Sequence, residues 1–92
     1  MVRIASAGNT EVPCYLALKE LGFEVTVQRV GGREVWIAAE QDVRIMAEEG
    51  PCMLLGLAKL IELRGEDWKA ADEDIDHFIA QFYPPEKQSA SE

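Results

Sequence analysis

A chain of 92 residues, 48% of them apolar, can bury one small core and is too apolar to be disordered throughout. Its net charge of −8 lies mainly in the second half: residues 1–47 carry five basic against six acidic side chains, residues 48–92 four against eleven. A field of that sign repels phosphate backbones and argues against nucleic acid as a direct partner, and no run reaches the roughly 20 apolar residues that a membrane helix needs.

Val2 to Ala7 alternates and is β-prone, which predicts a first strand. Gly8 and Asn9 break it, and Thr10 (or Asn9) can cap a helix over 11–21, with Pro13 tolerated in the first turn. Cys14, Ala17, Leu18 and Leu21 fall on one face of that helix, which Gly22 ends. Phe23 to Gln28, continuing toward Val30, predicts a second strand with Val25 and Val27 inward. Gly31-Gly32 then reads as a two-residue hairpin turn. The return strand over 33–39 has two faces: Val35, Ile37 and Ala39 are assigned to the core, Glu34, Trp36 and Ala38 to the far side.

Residues 43–47 admit two readings after Gln41-Asp42: a short helix capped by Asp42, or a fourth strand with Val43, Ile45 and Ala47 inward. Regular alternation over so short a segment favours the strand. Residues 51–63 hold only two charged side chains, Lys59 and Glu62, and are apolar in nearly every direction around a helix. That composition predicts the central helix of the fold, walled in by its neighbours. Gly50 and Pro51 mark its start, Arg64 and Gly65 its end, and Gly56 is read as a point of close approach by another element. A connection over 65–70 places Trp68 at the core edge. Ile75, Phe78, Ile79 and Phe82 then follow the spacing of an amphipathic helix over 72–83 capped by Asp72.

The expected fold class is α+β. It is a two-layer sandwich of order βαβββαα, with three helices on one face of a mostly antiparallel four-stranded sheet. Residues 1–83 form one domain, and 84–92 a mobile polar tail.

Few residues point to chemistry. Cys14 and Cys52 each follow a proline in the first turn of a predicted helix, where the free amides favour a thiolate. With Gly8, Asn9 and Thr10 they make a candidate anion or thiol site. The phosphate-loop signatures are missing, however, and buried cysteine commonly serves as a small hydrophobe. There is no Cys-x-x-Cys, and the single histidine, His77, lies in another helix, so no metal site is expected. Asp72, Asp74 and Asp76 open like a calcium loop, but His77 and Tyr83 stand where it needs glycine and glutamate. No catalytic residue and no cofactor are expected. Two cysteines fall short of a disulfide framework, and Met-Val-Arg-Ile-Ala-Ser lacks the pattern of a secretory leader, so a cytoplasmic setting is expected.

The more informative feature is the sheet face left free of helices. It is expected to show Arg3, Thr26, Gln28, Trp36, Arg44 and Met46, with Ala5, Glu34 and Ala38 between them, the composition of an interaction surface. The expected function is therefore that of a small acidic, non-enzymatic interaction module. Its partner is another protein or a second copy of the chain. The alternative is a small-molecule, anion or thiol-redox protein using the Gly8–Cys14 segment.

Overall fold

The computed structural model describes residues 1–5 and 7–85. A single 3₁₀ turn over Gly8–Thr10 leads into α1 (Glu11–Glu20). Then follow β1 (Glu24–Val30), β2 (Arg33–Glu40), β3 (Val43–Ala47), α2 (Pro51–Arg64) and α3 (Asp72–Phe82). The class is α+β, but the order is αβββαα and the sheet has three strands, all antiparallel, in the order β1-β2-β3.

The strand expected at Val2–Ala7 does not form at its described residues. Alternation only makes a segment eligible for a sheet; pairing and burial of one face make it a strand. Val2 and Ile4, which should have faced the core, are 92% and 84% exposed. With that strand goes the strand–helix–strand crossover, and the sheet is a plain meander of two hairpins. Residues 86–92 of the expected tail lie outside the described residues.

The first hairpin forms as its glycines dictate. Gly31 and Gly32 have φ of 57° and 81°, the left-handed pair that a two-residue turn requires, and Val30 pairs with Arg33. The second turns at Gln41, which adopts φ 48°, and pairs Glu40 with Val43. Residues 43–47 are thus a strand.

The core forms where α1 and α2 lie on one face of the sheet. Leu18 of α1 and Leu54 of α2 are fully buried among Ala38, Ile45, Ala47 and Ala58. Phe23, Val25, Trp36, Val43, Leu57 and Ile61 pack around them. Alanines at 38, 47 and 58 keep the two layers close, but they contribute little apolar area of their own.

Two expectations about the helices are corrected. α2 begins after Gly50 with Pro51 and ends at Gly65, as its signals indicate, yet it is not enclosed. Pro51, Leu54 and Ala58 are buried, Leu57 is half-buried, and Leu63 is 72% exposed. Gly56 is exposed, with open space where a Cβ would stand, so nothing approaches it. Three strands and one other packed helix do not supply enough surface to surround α2. The third helix, α3, forms but has no buried residue and makes no substantial contact with any other element, so it does not cover the sheet.

Candidate functional site

The register of the two hairpins decides which side chains share a face. Val27 pairs with Trp36, and Trp36 with Ala47; Val25 pairs with Ala38, and Ala38 with Ile45. Cross-strand partners point the same way, so Trp36 and Ala38 stand on the helix-covered side with Val25 and Ile45. This reverses the assignment of β2. Trp36 packs against the core and lines a cleft with Glu11, Val12 and Tyr15 of α1 and Pro51 of α2.

The face away from α1 and α2 carries four rows: Val30 and Arg33; Gln28 and Val35; Thr26, Ile37 and Met46; Glu24, Ala39 and Arg44. Of the six expected interaction residues, Thr26, Gln28, Arg44 and Met46 are brought together there. Trp36 is on the other side. Arg3 lies in the N-terminal segment, which is not part of the sheet, where its Nε donates to Met1 Sδ at 3.4 Å. Ile37, set between Thr26 and Met46, is 3% exposed, whereas Met46 is 53% exposed.

Two further apolar surfaces were not anticipated. Arg44, Ile45 and Met46 of the edge strand β3, Leu57, Leu60 and Ile61 of α2, and Trp68 line a cleft along the flank of the molecule. It exists because α2 overhangs an edge strand that no further strand covers. The second surface is the stripe of α3. Ile75, Phe78, Ile79 and Phe82 are 43–58% exposed, and the ring centroids of Phe78 and Phe82 lie 5.1 Å apart. The stripe was legible in the sequence; that it would find nothing to pack on was not. The first turn of α3 adds Asp72, Glu73 and Asp74, where negative charge suits the helix dipole.

The remaining candidates gather where the first turns of α1 and α2 abut. Gly8, Asn9 and Thr10 form the 3₁₀ turn, and the Thr10 hydroxyl donates back to the Ala7 carbonyl at 2.7 Å. The Cys52 thiol donates to the Thr10 carbonyl at 3.5 Å, with its Sγ 3.6 Å from Thr10 Oγ1. Cys14 lies one helical turn beyond Thr10 on the same face of α1. Hydrogen bonding with the Cys52 thiol, then burial, then the charge of Cys52 push the Cys14 thiol up to about 11. Both cysteines are free; Cys14 is half-buried and Cys52 exposed. Of the residues expected at this site, the fold brings Cys52 against Thr10, whose hydroxyl is already engaged, with Cys14 one helical turn further on. The doubled Pro-Cys in two helix starts was the available signal, and packing of α1 on α2 brings the two helix starts side by side.

Among the described residues, no cluster of three or more His, Cys, Asp or Glu side chains could hold a metal ion, and no helix is long and apolar enough to cross a membrane. No family model, curated protein or solved structure matches this chain.

Proposed function

We propose that this protein is a non-catalytic interaction module that associates with a second copy of itself through apolar surface its own core leaves over. One observation carries the reading: the same chain holds an unpartnered apolar helix stripe on α3 and an open apolar cleft between β3, α2 and Trp68. An amphipathic helix of 11 residues is marginal in water by itself, so α3 is stabilised by whatever it packs against. Charge supports the fit, since Arg44 stands at the cleft and Asp72, Glu73 and Asp74 open α3. If each copy places its α3 in the other's cleft, the exchange is reciprocal and closes as a two-fold dimer. The exposed side chains Thr26, Gln28, Arg44 and Met46 of the sheet face away from α1 and α2 adjoin the same edge strand and extend the surface available to the partner.

Sedimentation of the intact chain over a concentration series tests this. A concentration-dependent dimer is expected, and Phe78→Asp should shift it to monomer with far-ultraviolet circular dichroism of the core retained. A chain that stays monomeric throughout overturns the reading, as does a dimer that Phe78→Asp leaves intact.

A further inference from the structure

The thiol pair at the seam of α1 and α2 is not used by an association through α3. Its geometry has a consequence of its own. Cys52 is held against the Thr10 backbone by its thiol–carbonyl contact, and Cys14 follows from the same face of the same helix one turn later. The two first turns are close elsewhere as well, since a Cβ built on Gly50 would meet Glu11 Oε2 at 3.9 Å. Two thiols that are far apart in sequence are therefore neighbours by virtue of the fold, and neither is bonded to anything else covalently.

We infer that Cys14 and Cys52 form a reversible intrachain disulfide, a modification site that exchanges with low-molecular-weight disulfides. Exposure sets the order of events. Cys52, the more exposed thiol, gives up its proton and attacks one sulfur of the small disulfide, forming a mixed disulfide and releasing one small thiolate that takes up that proton. Cys14 then loses its proton and attacks the Cys52 sulfur. The second small thiol leaves carrying that proton. Two protein thiols and one small disulfide become one protein disulfide and two small thiols. The protein is oxidised by two electrons and the small molecule is reduced by two.

The bridge would close the whole β-meander into a loop and tie the first turn of α1 to that of α2. The cleft lined by Glu11, Val12, Tyr15, Trp36 and Pro51 lies along that seam, so its two helical walls would be joined. Because the thiolate is the nucleophile in each step, both steps go faster as pH rises.

The test uses the intact chain, equilibrated without oxygen at mildly alkaline pH across a series of reduced-to-oxidised glutathione ratios. Samples are acid-quenched, alkylated, and read by intact mass and peptide mapping. The expected product at the oxidising end is a single chain that takes up no alkylating agent, yields a Cys14–Cys52 linked peptide, and recovers two reactive thiols with dithiothreitol. In concentrated urea the same titration should need a ratio at least about tenfold more oxidising, because there the fold no longer holds the thiols together. Cys14→Ser should stop at one glutathione bound to Cys52. Two alkylatable thiols, two bound glutathiones per chain, or bridges only between chains would each overturn the inference, as would a titration unchanged by urea.

Discussion

Trp36 and Ile37 are neighbours in the chain and point to opposite sides of the sheet. The side each takes follows from the turn at Gly31-Gly32. A two-residue turn there pairs Val30 with Arg33, and counting back brings Val27 opposite Trp36. The turn at 41–42 leads to the same answer through Ala47. Trp36→Ala should therefore act as a core truncation, costing roughly 2–4 kcal/mol in denaturant unfolding. Gly56 gives a complementary case: it sits inside α2 with open space around it, so Gly56→Ala should raise stability by about 0.5–1 kcal/mol, read as a higher urea midpoint at unchanged slope. At Cys14 the folded structure favours the protonated thiol, which depresses the reactive thiolate at any pH below about 11. Its alkylation rate in the native chain should rise about tenfold per pH unit between neutrality and that point. A plateau near pH 9 would show that the neighbouring thiol exerts no such hold.

The helices show how far composition alone carries. Residues 51–63 are apolar all round, and the capping residues at both ends act as their chemistry requires. Being apolar all round implies a demand for neighbours, however, and does not guarantee a supply. Leu54 meets α1 and the sheet, whereas Leu57 lies at the rim of an open cleft. Leu54→Ala should thus cost about 3–5 kcal/mol, and Leu57→Ala no more than about half of that. Equal losses at the two positions would mean that α2 is enclosed in solution, by a partner or by α3. For α3 the stripe at 75, 78, 79 and 82 marked the helix plainly. What the stripe rests on is set by the geometry of the Gly65–Ala71 connection and by which surfaces come within its reach, and local pattern records neither.

At the scale of the whole molecule the core is thin. The buried apolar residues among those described are Leu18, Ile37, Ala38, Ile45, Ala47, Leu54 and Ala58, three of them alanines. Large apolar side chains from Val12 to Phe82 remain outside it. None of the buried set lies beyond Ala58, so a chain ending at Ala71 should melt within about 3 °C of the full chain when both are monomeric. The same truncation should abolish concentration-dependent association. A large loss of stability on truncation at low concentration would place α3 against its own core instead.

Helix and strand positions from Thr10 to Phe82, both hairpin turns, the bounds of α2 and the amphipathic stripe were determined by the sequence alone, because each depends on side-chain periodicity or on glycine and proline acting within a few residues. Even the true facing of Trp36 was implicit in the turn length. Tertiary structure alone decided that the described residues between 2 and 7 would find no strand to pair with, that α2 would be half covered and α3 uncovered, and that Cys52 would lie against the turn preceding Cys14. Each of those outcomes depends on which distant surfaces compete for the same apolar area, a balance that no local pattern contains.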